Sequence, residues 1–227
     1  LFLNDVNLRQ AMTNFFIFLL WSPSEEVEFG ESVSEVKSLE EFINQFKLED
    51  LNKANPVFDD TKLVWFNGYY LRELTIDAYL ERYKKYLELN GISQTQPDNV
   101  LISRIKLIQE RAKTLAEAHE QILDFDNFNS ESIDWNIKQL KRLTADQINQ
   151  LQVQFTALIN SFDTDSTNWK HEEWESSVRQ IADKMEIKHG DAFMVFRMSV
   201  WGKPVSPPLF PVLVLMGKDE VMRRIKN

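Results

Sequence analysis

Apolar residues that return every three to four positions, punctuated by helix-capping signals, constrain this chain more than any other feature. Leu8, Ala11, Met12, Phe15, Phe16, Leu19 and Leu20 form one such stripe, wide enough to pack against other helices, and Ser22-Pro23 stops it. An acidic, glycine-containing loop follows to about Glu35. Ser38-Leu39-Glu40-Glu41 then reads as a capping box, in which hydroxyl and carboxylate each satisfy a backbone N–H, and opens a helix that buries Phe42 and Phe46. Asp59 or Asp60 caps the next helix, whose apolar side is Leu63, Trp65 and Phe66, and Asn67-Gly68 is expected to break or bend it. Leu71 and Leu74 continue the core before Thr75 caps a long helix to Asn90, ended by Gly91.

The polar, proline-containing run 93–99 (SQTQPDN) predicts a linker, with one subdomain over residues 1–94 and a second over 95–227. The helix after it carries Val100, Leu101, Ile102, Ile105, Leu107, Ile108, Ala112 and Leu115, decorated by Arg104, Lys106, Arg111 and Lys113. Residues 130–143, 144–162 and 169–185 read as three more helices, the second opened by the capping box Thr144-x-x-Gln147. Residues 192–201 alternate in a way that also suits a strand.

Near the end, Ser206-Pro207 reads as a helix start, because a hydroxyl at the N-cap accepts a free N–H and proline at the first helical position has none to waste. The apolar run 209–216 ends at Gly217, and Pro211 inside it is expected to bend it. The positive end of that helix would lie beside Arg197 and Lys203, as an anion or phosphate site needs; an ordinary well-capped core helix fits the same residues.

The composition narrows the function classes. At 227 residues, with 43% apolar content and sixteen phenylalanines, the chain has the means to build a core. With no cysteine there is no disulfide, cysteine-based zinc site or catalytic thiol, and a reducing compartment fits. A net charge of −9 argues against a generic nucleic-acid binder. Yet residues 184–227 hold eight Lys/Arg against four acids, +4, which leaves −13 for the rest, so a basic end is joined to an acidic body. His119, His171 and His189 are too scattered to hold a metal, and the six glycines stand apart instead of forming a phosphate loop. Acidic pairs such as Asp59/Asp60 look like helix caps. No apolar run approaches the ~20 residues that cross a bilayer, and a chain opening on Leu1 reads as a piece of a longer protein with no export signal.

Four stretches, in order, carry a resemblance. Residues 7–23 (NLRQAMTNFFIFLLWSP), 56–74 (PVFDDTKLVWFNGYYLREL), 107–115 (LIQERAKTL) and the pattern Arg197-x-x-x-x-Gly202, Val205-Ser-Pro-Pro-Leu-Phe210, Leu215-x-Gly-Lys218 together resemble the C-terminal anticodon-binding region of bacterial-type glutamyl-tRNA synthetases, which are class I aminoacyl-tRNA synthetases. The resemblance implies an all-α fold, a helical bundle followed by a smaller helical cage, with a helix over 192–201. It also implies a cytoplasmic, monomeric partner of glutamate-accepting tRNA, with no role for DNA or membrane. The family's ATP-handling motifs are missing here and belong upstream, so ATP and magnesium would be used outside this fragment.

The same resemblance implies site residues. Arg111 falls on the helix where discriminating enzymes carry the arginine that reads the third anticodon base, and a guanidinium fork suits base edges. Arg197, Ser206, Pro207 and Leu209 would form the pocket for the first two bases. Trp201, where the family usually has threonine, either stacks on a base or fills the core; Leu20 and Arg9-Gln10 are further departures. Lys62, Asn67 and Arg72 would touch the tRNA backbone, as would Lys203, Lys218 and the terminal basic cluster, while Trp65, Tyr69 and Tyr70 suit packing. Two other readings fit the pattern: a helical protein-interaction scaffold derived from such a domain, and the related domain of class I lysyl-tRNA synthetases.

Overall fold

A computed structural model describes residues 8–21, 36–52 and 57–226. The expected stop at Ser22-Pro23 and the acidic loop to Glu35 lie outside the described residues. Among the described residues ten α-helices follow one another: α1 (Leu8–Leu20), α2 (Leu39–Gln45), α3 (Asp60–Arg72), α4 (Ile76–Leu89), α5 (Asp98–Ile108), α6 (Leu115–Leu123), α7 (Ala145–Ser161), α8 (His171–Lys184), α9 (His189–Trp201) and α10 (Leu209–Lys226). Among the described residues the only β pairing is an isolated antiparallel bridge between Trp21 and Leu51, so the fold is all-α. The alternation over 192–201 is helical, with both faces buried, which is why it mimics a strand.

Four of the predicted N-caps form. Ser38 and Glu41 complete one capping box and Thr144 and Gln147 another, Asp59 accepts from Thr61 and Lys62, and the Thr75 hydroxyl accepts from Ala78 N. Phe42 is buried, but Phe46, expected to be buried with it, stands at the end of α2 and is exposed.

The chain forms two compact units, Leu1–Ile122 and Leu123–Asn227. This division lies later than the 94/95 linker read from the polar run, since α5 packs back on α4 across that run and Lys84 Nζ meets Asp98 Oδ2 at 2.7 Å. In the first unit α1 lies on α3 through Ala11, Phe15, Leu63 and Phe66. Buried Asn14 stitches residue 37 to them, accepting from Lys37 N at 3.0 Å and donating to Tyr70 Oη at 2.7 Å. Asn67 and Gly68 neither break nor bend α3, which runs through them to Arg72.

In the second unit α7, α8, α9 and α10 enclose a core in which the Phe155 and Phe196 rings stack at 4.4 Å. Residues 130–143 are not a helix but two short 3-10 turns, Ser130–Ser132 and Lys138–Leu140. Short polar side chains compete with the helical ladder there: Asn129 Oδ1 accepts from Glu131 N and Asp134 Oδ1 from Asn136 N. The last helix is cut at Gly217 (φ 77, ψ 166), as its glycine predicts. Pro211 lies in its first turn, where an N–H has no partner to lose, and does not bend it.

Candidate nucleic-acid interface

Arg111 lies in the first unit, in the turn between α5 and α6 and not on the helix where the sequence placed it. The α-helix stops at Ile108, and the Arg111 and Ala112 N–H groups both close back on the Ile108 carbonyl at 2.9 Å. The Gln109 side chain leaves α5 altogether: its Nε2 lies 3.1, 3.2 and 2.7 Å from the carbonyls of Leu71, Arg72 and Leu74, where α3 ends. These include carbonyls that a helix C-terminus leaves without intrahelical partners. At the other side of the turn, Asn67 Nδ2 donates to the Lys113 carbonyl. Gln109 and Ala112 are buried while Glu110, Arg111 and Lys113 are exposed, so the turn displays its charged residues from a fixed base.

Sequence reasoning missed Gln109. The signal was there: a lone amide among Ile105, Ile108 and Ala112 on the buried side of a helix needs partners elsewhere.

Of the other residues expected to touch a backbone, Asn67 is buried and engaged with Lys113. Lys62 is half-buried over the rings of Phe18, Trp65 and Phe66, at 4.7, 4.9 and 5.6 Å. Arg72 ends α3, half-buried.

The residues expected to hold the first two bases belong to the second unit, around the loop 202–208 that joins α9 to α10. Gly202 takes the left-handed conformation that ends α9 (φ 78). Ser206 is not a helix cap, because α10 begins only at Leu209 and the first helical bond runs from Val212 N to the Pro208 carbonyl. Two successive prolines delay the start, and the Ser206 hydroxyl donates instead to the Pro207 carbonyl at 2.7 Å. Ser206, Pro207 and Leu209 are buried, and Arg197 is half-buried with Nη1 3.5 Å from the Pro204 carbonyl. Trp201 takes the core alternative: it is 3% exposed and meets Phe125 edge-to-face at 4.9 Å, so no face is open to a base. What the loop does expose is Lys203, Val205 (72%) and Pro208.

The basic end is divided: Lys184, Lys188, Lys203, Arg223 and Lys226 are exposed, while Lys218 and Arg224 are spent on the protein itself. Lys203 pairs with Asp124, so a phosphate must compete with that carboxylate. Lys218 Nζ caps the end of α7 through the Asn160 and Phe162 carbonyls. Arg224 is buried against the carbonyls of Val200 and Phe125. Hydrogen bonds from Arg223 and then Arg224 hold the Glu220 carboxyl down at about 2. By contrast Lys138, Lys141 and Arg142, which the sequence assigned to a helix, are exposed on the turn before α7 and form no ion pair or hydrogen bond among the described residues, while Leu140 between them is buried and packs the turn on α9. Among the described residues no cluster of three or more His, Asp or Glu is placed to hold a metal, and no helix is long and apolar enough to cross a membrane.

Comparison with known proteins places the chain in a family. The family described as "Anticodon binding domain" matches residues 70–227. Similar proteins include glutamate–tRNA ligase 2 of Caldicellulosiruptor saccharolyticus, 30% identical over 100% of this chain and 44% of its own, and the glutamate–tRNA ligase of Syntrophobacter fumaroxidans, 29% identical over 97% of this chain and 44% of its own. Among solved structures, a glutamate tRNA ligase from Elizabethkingia meningosepticum in complex with its amino acid superposes with a TM-score of 0.68 at 27% identity, covering 96% of this chain and 40% of that one. The glutamate-tRNA synthetase of Elizabethkingia anophelis gives 0.67 at 27% identity, with 96% and 39% covered. The chain thus spans less than half the length of the relatives it matches.

Proposed function

The chain belongs to the anticodon-binding domain family, and from that premise we propose that it grips the anticodon arm of a glutamate-accepting tRNA as part of a glutamate–tRNA ligase. The observation that supports this reading best is Arg111, exposed on a turn that is anchored by buried Gln109 and Ala112. A guanidinium held this way offers a planar donor fork to the third anticodon base, where the glutamate and glutamine anticodons differ. Arg197, with the exposed Lys203, Val205 and Pro208 of the loop, contributes to holding the first two bases. Ser206, Pro207 and Leu209 shape that loop from beneath. Lys138, Lys141 and Arg142 supply phosphate contacts that the inward-turned Lys218 and Arg224 do not.

In the whole ligase, ATP and magnesium act outside these residues, where glutamate is activated and transferred to the tRNA end. The protein works as a cytoplasmic monomer. Binding of this chain to tRNA transcripts tests the reading. Glutamate-accepting tRNA binds more tightly than the same transcript carrying a glutamine anticodon, and Arg111→Ala removes a preference of about ten- to a hundredfold. RNA affinity indifferent to anticodon sequence would instead identify a derived scaffold, and preference for a lysine tRNA the related lysyl domain.

A further inference from the structure

We propose that Asn67, Gly68 and Gln109 are positioning residues that set where Arg111 meets the third anticodon base. The inference rests on the reading of Arg111 given above. It assigns Asn67 to the inside of the protein in place of the tRNA backbone.

The turn 109–114 is fastened at both ends to the same helix, α3. At its start, the Gln109 amide reaches three carbonyls around the end of α3, at 2.7 to 3.2 Å. At its far end, Asn67 Nδ2 donates to the Lys113 carbonyl 46 residues away. Gly68 permits that approach: a Cβ on it would stand 3.2 Å from both Lys113 Cα and Lys113 Cγ, and 3.2 Å from Arg72 Nη1. Its backbone is helical, so what this position requires is the missing side chain and not unusual torsion angles. The turn is also tied forward into α6, with Lys113 N donating to Glu117 Oε2 at 2.8 Å and Glu117 N to Thr114 Oγ1 at 3.0 Å.

Asn67 is 1% exposed and its amide donates to the Lys113 carbonyl, so the side chain is spent on fixing this turn. Bidentate recognition depends on angle as well as distance, and a binding group works within roughly 0.5 Å of its productive position only when the structure behind it is fixed. A helix running straight through Asn67-Gly68 provides that support.

Gly68→Ala loads the turn directly. Alanine is the better helix former, but its Cβ would stand 3.2 Å from Lys113 Cα and must push that backbone aside, so a thermal melt reads the net effect on folding while the affinity ratio reads position. The measurement is the ratio of affinities of the whole chain for a glutamate-accepting tRNA transcript and for that transcript with its third anticodon base changed. Arg111→Ala, Asn67→Ala and Gln109→Met are run beside it, with a thermal melt of each. The expected result is a ratio reduced by about threefold or more in Gly68→Ala at a temperature where its melt shows it folded, and a larger reduction in Arg111→Ala. If Arg111→Ala leaves the ratio unchanged, the reading of Arg111 is wrong and the positioning role falls with it. If Arg111→Ala lowers the ratio but Gly68→Ala and Asn67→Ala both keep it, or weaken binding to both transcripts equally, Arg111 reads the base and the positioning inference alone is overturned.

Discussion

The Arg224 guanidinium, 3% exposed, donates to the Val200 carbonyl at 3.0 Å and also to the Phe125 carbonyl. Those oxygens lie near the ends of α9 and α6, where a helix runs out of its own donors. Arg224 therefore behaves as an internal clasp and not as part of a phosphate-binding tail. Burial lowers its pKa while the Glu220 carboxylate opposes that, and an arginine stays charged in either case. Arg224→Met should lower unfolding free energy by about 3 kcal/mol, as loss of one partner from a buried charge network does. Urea titration measures it, and parental stability would show the clasp to be idle.

Glu220 gives the clasp a pH dependence of definite sign. Its carboxyl is held down from 4.5 to about 2 by Arg223 first and then Arg224. A depressed carboxyl contributes stability that is fully present above pH ~4.5 and lost as pH falls toward ~2. Because the pair is partly solvated, the contribution is on the order of 1 kcal/mol. Glu220→Gln should be less stable than the parent at neutral pH, and the difference should close on acidification through that window.

Trp201 offers a clean separation of core from interface. Trp201→Ala should cost about 3–5 kcal/mol in stability, the range for truncating a large buried ring. Trp201→Phe should lose less and keep the parental affinity for tRNA wherever it is folded. If Trp201→Phe weakened RNA binding tenfold without weakening the fold, the ring would have to reach a base after all.

Lys138, Lys141 and Arg142 make a prediction about salt. Replacing all three by glutamine should flatten the dependence of log affinity on log salt by about 2, since each phosphate contact on a single strand contributes ~0.7 to the slope. Thermal stability should barely change, because these side chains touch nothing that holds the fold. An unaltered slope would place the phosphates elsewhere.

What the sequence made legible was local. Ser38, Asp59, Thr75 and Thr144 cap helices through donors two or three residues away, and Gly217 breaks its helix because of its own torsion angles. Asn67-Gly68 was misread because the residue that needs the glycine is Lys113, far along the chain. The same holds for Arg224, whose carbonyl partners lie 24 and 99 residues away. Ser206 failed as a cap because a second proline follows the first and delays the helix to Leu209. The resemblance named the stretches, and packing decided which side chains in them face outward.

Gly217 divides α10 mechanically. The helical ladder cannot continue through a residue at φ 77 and ψ 166, so the segment that follows the 202–208 loop and the segment that carries Arg224 are two helices and not one rod. Both nevertheless reach a single core, through Leu209 and Leu213 before the break and Val221, Met222 and Ile225 after it.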